Sequence, residues 1–135
     1  MMYKKIRILL PIVMFLSGSV AFAHQPRIVV TSPVTVEDPE ISKAYYAELT
    51  GIPQSYTIDS PKDFALYANL LVPKSSNPEG RYSATIFKMD KTRQQIAYLS
   101  ATSTPWKQFY EPFGRDYYYQ GPELRMQLMK GRYEI

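Results

Sequence analysis

From residue 55 onward, apolar and polar side chains alternate along the chain with a period of two. Residues 64–72 give the clearest case. Phe64, Leu66, Ala68, Leu70 and Val72 fall on one face, and Ala65, Tyr67, Asn69 and Leu71 on the other. Successive side chains of a strand point to opposite sides, so this pattern predicts a β-strand with one thoroughly apolar face. The same period predicts strands over 55–59, 82–89, 95–100 and 124–128, and a last one beginning at Arg132. Upstream, the β-branched run at 27–30 predicts a strand. Pro33 interrupts it, and Val34, Thr35 and Val36 resume it past a kink or at a sheet edge. Turn chemistry separates these runs: "SPKD" at 60–63, "PKSSNPEG" at 73–80, "DKTRQ" at 90–94 and Lys130-Gly131.

Two segments depart from the pattern. In "EDPEISKAYYAELTG", residues 37–51, Asp38 suits a helix N-cap, Pro39 the first helical position and Gly51 the stop. Ile41, Ala44, Tyr45, Glu48 and Leu49 then recur at helical spacing, which predicts a short helix over 39–50. Residues 101–123 carry Pro105, Pro112, Gly114, Gly121 and Pro122, which predict an irregular crossover. The fold class is therefore mainly β: an antiparallel, jelly-roll-like β-sandwich with one short accessory helix near residues 39–50. The final strand, Arg132-Tyr133-Glu134-Ile135, stops just after it starts. An edge strand cut short in this way predicts a domain truncated at its C-terminus.

The first 23 residues belong to a different class of segment. Lys4, Lys5 and Arg7 form a basic start, residues 8–16 an apolar stretch broken only by Pro11, and Ala21-Phe22-Ala23 a small-x-small cleavage site. These are the three parts of a secretory signal peptide, and the apolar stretch is shorter than the ~20 residues of a membrane-spanning helix. The expected organisation is a signal peptide at 1–23 and a single domain at 24–135, in a periplasmic or secreted protein with no stable membrane span after cleavage.

Removal of that segment changes the charge. Three of the 16 basic residues and none of the 12 acidic ones lie in it, so the formal net charge of +4 for the whole chain falls to near balance. Nothing then drives nucleic-acid binding, which requires a clustered basic surface. The chain has no cysteine, which excludes a lipoprotein anchor, disulfides, thiol catalysis and zinc-thiolate or iron–sulfur sites. Its one histidine, His24, leaves a Ser-His-Asp triad without a well-held base.

The stretches "YTIDSPKDFALYANLLVP", "YSATIFKMD" and "LRMQLMKGRYEI" together resemble secreted β-sandwich domains of the pre-peptidase C-terminal type, with residues 129–135 in the place of that family's late hairpin. The resemblance implies a jelly-roll-like sandwich that is non-catalytic and accessory, binding polymer or assisting secretion. It implies no catalytic residue. The predicted helix is extra to the family's pattern, and the strand that follows its hairpin is missing here.

Three groups of residues are candidates for chemistry. Cleavage after Ala23 gives His24 a free α-amino group beside its imidazole, half of a histidine brace for Cu(II). A full brace needs a second histidine, so copper would need Asp, Glu or Met as a further ligand; the competing reading is an incidental terminus. The segment "WKQFYEPFGRDYYYQGPE" gathers Trp106, Phe109, Tyr110, Phe113, Tyr117, Tyr118 and Tyr119. Such rings, with Arg115 and Asp116 beside them, suit sugar rings or an extended polymer, and the ligand-binding candidates are Trp106, Tyr110, Arg115, Asp116 and Tyr118. The competing reading packs these aromatics over one end of the sandwich, with Trp106 buried. Alternation still sends Tyr118 opposite to Tyr117 and Tyr119. The acidic pairs Glu37-Asp38 and Glu111/Asp116 are too few for a calcium loop and carry no mark of catalytic spacing. The expected function is an exported, non-catalytic binding or structural domain, accessory to an envelope or secreted component, with a polysaccharide or protein partner and no cofactor. The alternative is a periplasmic copper-binding protein using His24. Export by this route leaves a protein whose intact mass lacks residues 1–23; a retained Met1 would overturn both the export reading and the copper alternative.

Overall fold

A computed structural model describes residues 25–112 and 114–135. Residues 1–24, which include the expected signal peptide and His24, and Phe113 lie outside the described residues. The described chain is mainly β, with ten strands: β1 (Gln25–Ile28), β2 (Val34–Thr35), β3 (Lys43–Tyr46), β4 (Tyr56–Ser60), β5 (Phe64–Pro73), β6 (Ala84–Met89), β7 (Arg93–Leu99), β8 (Lys107–Glu111), β9 (Asp116–Leu128) and β10 (Gly131–Glu134). They form a five-stranded sheet in the order β2-β4-β10-β6-β7, a three-stranded sheet in the order β5-β9-β8, and a small parallel pair, β1-β3. All pairings within the two larger sheets are antiparallel except β2 with β4.

The two larger sheets are joined by one bent ribbon. β4 pairs with β10 and β5 pairs with β9, so each chain segment leaves one sheet and enters the other at the same level. The corner is compact. Ser60 faces Gly131 on one side of it and Phe64 faces Leu128 on the other. Asp63 Oδ1 accepts a hydrogen bond from the Lys130 backbone N–H (2.7 Å), and Ser60 Oγ donates to the Lys62 carbonyl (2.6 Å). Gly131 opens β10 with φ of 143°, a conformation that side-chain-bearing residues rarely adopt.

The core fills the space between the sheets. Ile58 of β4, Phe64 and Leu66 of β5, Ile86 of β6, Leu99 of β7, Leu128 of β9 and Tyr133 of β10 form one buried cluster. The alternating pattern predicted by the sequence is present in β5, where Phe64, Leu66 and Val72 are buried and Ala65, Tyr67 and Leu71 exposed. Tyr133 is buried because its hydroxyl has a partner: it donates to the Met129 carbonyl at 2.8 Å, while its ring meets Phe64 edge-on at 5.7 Å. Burial of side chains of this size stabilises by about 1.5–3 kcal/mol each.

Three expectations from the sequence are corrected. The helix over 39–50 is absent. Asp38 takes φ of 45°, and Ile41 N–H bonds back to the Asp38 carbonyl at 3.0 Å, which makes a single turn rather than a helix. Lys43 Nζ then caps that turn through the Glu37 and Asp38 carbonyls, and the following residues pair in parallel with β1. Tyr45 packs edge-on against Tyr56 (5.2 Å), so tertiary contact overrides a helical pattern of only modest apolar content. The crossover expected over 101–123 is instead β8, a tight turn and the first half of β9. Pro112 and Gly114 sit in the turn. Gly121 and Pro122 sit at a β-bulge opposite Leu70, where the register shifts between Asn69 and Leu71. A bulge residue is outside the regular ladder, so proline there forfeits no ladder bond. Finally, the last strand is not an edge. β10 lies at the middle of its sheet between β4 and β6, and Ile135 exchanges backbone hydrogen bonds of 2.8 Å with Tyr56 in both directions.

This packing ranks the apolar positions. Ile86 is fully buried, whereas Leu70, opposite the bulge, is half-buried. Ile86→Ala is expected to cost about 2–5 kcal/mol in chemical denaturation. Leu70→Ala should cost clearly less, and Asp63→Ala about 1 kcal/mol through loss of the corner bond. An Ile86→Ala loss no larger than that of Leu70→Ala would place the core elsewhere.

Candidate ligand-binding face

Residues 106–119 hold seven of the chain's 19 aromatic residues, and the register of the β8–β9 hairpin sorts those on its strands. Residues directly opposite in an antiparallel pair share a face. Gln108 faces Tyr119 and Tyr110 faces Tyr117, so these four lie together; Phe109 faces Tyr118 on the other side. Tyr119 is also opposite buried Val72 of β5. The Tyr119 side is therefore the core side of the sheet, and the rings extend that side beyond the end of the core.

Trp106, just before β8, anchors the inner end of the row. Its Nε1–H donates to the Ala101 carbonyl (2.8 Å), and its ring lies over Gly121, where a Cβ would come within 2.5 Å of the indole. The Arg81 guanidinium carbon stands 5.3 Å from the ring centres of both Trp106 and Tyr119. Arg81 comes from the loop between β5 and β6 and is held there by donating to the Pro78 and Gly80 carbonyls (3.0 and 2.6 Å). A cation placed over an aromatic face is worth roughly 0.5–1 kcal/mol at an exposed site.

Lys74 organises the outer end. Its backbone N–H continues the β5–β9 ladder to the Tyr117 carbonyl (2.9 Å). Its Nζ donates to Gln108 Oε1 (2.7 Å) and lies 5.8 Å from the centre of the Tyr117 ring. Tyr117 in turn packs against Tyr110 with ring centres 5.1 Å apart and a tilt of 53°. Tyr110 and Tyr117 are each 46% exposed, while Trp106 and Tyr119 are half-buried. The face thus runs from a packed indole to two open phenols, with a cation at each end.

The sequence-predicted site residues divide. Trp106 and Tyr110 lie on this face. Tyr118 does not: it points to the opposite side, where its phenol contacts Tyr46, and burial followed by that contact raises its pKa above the ordinary tyrosine value. Arg115 is exposed in the hairpin turn, in the left-handed region at φ of 54°. Asp116 acts locally, with Oδ1 accepting from Tyr117 N–H (2.7 Å) and Oδ2 from the Ser75 hydroxyl (3.4 Å). Glu111, its partner across the strand pair, accepts from Gly114 N–H. Both carboxylates therefore shape the turn. His24, the copper candidate, lies outside the described residues, and no group of three His, Cys, Asp or Glu side chains suited to a metal ion occurs among the described residues.

Sequence reasoning missed Lys74, Arg81 and Gln108. Lys74 was within reach, because it is the next same-face position after Leu70 and Val72 on the strongest alternating run. Arg81 carried no such signal, since only the folded loop brings it to Trp106. Two open depressions lie elsewhere, of about 330 Å³ beside β1, β2 and β3 and about 390 Å³ over β5 and β9, and neither includes these rings. Among the described residues no helix is long and apolar enough to cross a membrane.

The chain has a single tryptophan, so its fluorescence reports on the anchor directly. Gly121→Ala places a methyl group against the indole and should cost about 1–3 kcal/mol with a red-shifted, more quenchable emission. An unchanged spectrum and melting temperature would show that Trp106 does not rest on Gly121.

Comparison of the chain with protein-family models, with curated proteins and with solved structures finds no match to any of them, and the likeness to pre-peptidase C-terminal-type domains rests on strand patterning alone.

Proposed function

We propose that the protein is an exported, non-catalytic binding domain, accessory to a component of the cell envelope or of the secreted fraction, and that its ligand surface is the Trp106–Tyr119–Tyr117–Tyr110 face. The observation that carries this reading is the pair of half-exposed phenols, Tyr110 and Tyr117, fixed at 5.1 Å on a regular hairpin with Lys74 beside them. Flat rings with a polar edge suit the faces of sugar rings, and ring positions fixed by strand pairing reduce the ordering cost of binding. Lys74 and Arg81 match acidic substituents, so the ligand class is an extended polysaccharide bearing carboxylate or other acidic groups. Occupation of Glu111 and Asp116 by backbone N–H groups supports a binding role over hydrolysis, which needs a free acid–base pair at a defined separation.

Affinity electrophoresis through gels containing acidic or neutral polysaccharides tests the reading. The protein should be retarded by an acidic polymer. Tyr110→Ala with Tyr117→Ala should weaken retention at least about fivefold with little change in melting temperature. Tyr98→Ala, at an exposed ring on β7, should leave retention intact. Equal retention in all three proteins, or none in any, would overturn the proposal.

A further inference from the structure

Among the described residues strand β8 is one of the two edges of the three-stranded sheet, β5 being the other, and its sequence, Lys107-Gln108-Phe109-Tyr110-Glu111, complements itself when laid antiparallel to a second copy. An edge strand presents unpaired N–H and C=O groups that another strand can take up. Which groups face outward follows from the register. The Tyr117 carbonyl accepts from Lys74, so Tyr117 turns its main chain toward β5. In an antiparallel ladder the N–H and C=O of one residue point the same way, and successive residues alternate. Tyr118 therefore turns its main chain toward β8, where it meets Phe109. Gln108 and Tyr110 then direct theirs to the open edge.

We infer that two copies of this chain pair through β8 about a two-fold axis at Phe109, which joins two three-stranded sheets into one of six strands. In that register Gln108 of each copy meets Tyr110 of the other, and these are the residues whose main-chain groups face out. Phe109 meets its own counterpart as a non-hydrogen-bonded pair, the closer of the two pair types at ~4.5 Å between Cα atoms. Lys107 of each copy meets Glu111 of the other, on the face shared with Phe109. Opposite charges directly across a strand pair are stabilising. A shift of one or two residues loses both ion pairs, which fixes the register. Phe109 is 38% exposed, so pairing covers apolar surface as well.

Sedimentation velocity of the purified protein from micromolar to near-millimolar concentration should show a concentration-dependent dimer. Lys107→Glu should raise the dissociation constant roughly tenfold, because both attractive pairs become repulsive. The double variant K107E/E111K should restore it by exchanging the two charges. Because Glu111 also holds the hairpin turn, a second measurement stands independent of it. The chain has no cysteine of its own, so Phe109→Cys should cross-link to its counterpart under mild oxidation at least about ten times faster than Tyr98→Cys on the free edge of the other sheet. A monomer throughout the concentration range overturns the inference. So does a dimer indifferent to Lys107→Glu, or one in which the two cysteine variants cross-link at equal rates.

Discussion

The bond from Lys130 N–H to Asp63 Oδ1 sits where two chain segments must bend together, and the remainder of the fold depends on that bend. β4 and β5 are one segment, β10 and β9 the other, and each contributes to both sheets. A strand that changes sheet interrupts its own ladder, and the backbone groups at the corner need other partners. Asp63 and Ser60 supply them from side chains. Tyr133 locks the same place from within, through its hydroxyl on Met129 and its ring on Phe64. Because β10 is the middle strand of its sheet, loosening this corner removes the partner of β4 and β6 together and exposes Ile58 and Ile86. With no disulfide to limit the unfolded state, that cooperative packing carries the stability.

What the sequence made legible follows from where structure is locally encoded. The period-two runs at 64–72, 82–89, 95–100 and 124–128 all became strands, because half-buried sheets impose that period on the side chains themselves. The edge role of Val34 and Thr35 after Pro33 was legible for the same reason. The failures share a cause too. Asp38-Pro39 and Gly51 are genuine turn and stop residues, but they served a single turn and a loop, and Tyr45 was claimed by Tyr56 from outside the window. In 101–123 the prolines and glycines were read as barring any long regular element, yet the 13-residue β9 runs through Gly121 and Pro122. Only the strand pairing shows that Gly121 and Pro122 interrupt a ladder at a bulge without ending it. Strand order is likewise non-local, so the terminal run read as an edge although it lies at the sheet's centre.

The same division applies to the aromatic face. That Tyr118 would part from Tyr117 and Tyr119 was a consequence of alternation and needed no tertiary information. Which side would meet the core was set by the pairing of Tyr119 with Val72, a contact across 47 positions of chain, and so was invisible locally. The cations show the contrast again. Lys74 extends a readable alternating run, whereas Arg81 reaches Trp106 only because the Pro78 and Gly80 carbonyls hold it.

Alternation also lets β8 serve two surfaces at once. Its even positions, Gln108 and Tyr110, continue the row that begins at Trp106 and face the polymer in the proposed binding mode. Its odd positions, Lys107, Phe109 and Glu111, face the other way and form the complementary pairs of the proposed dimer. The main chain of Gln108 and Tyr110 supplies the hydrogen bonds between copies without using their side chains. Two adjacent exposed aromatics, Phe109 and Tyr110, would be a liability on an unpartnered edge strand. They are accounted for when one ring meets its own counterpart and the other meets a ligand. Pairing about Phe109 then sets the Tyr110 rings of both copies on one continuous face, which lengthens the row available to an extended ligand. A polymer spanning both halves gains from effective concentration, so a modest contact at each Tyr110–Tyr117 pair becomes a firm one across the dimer.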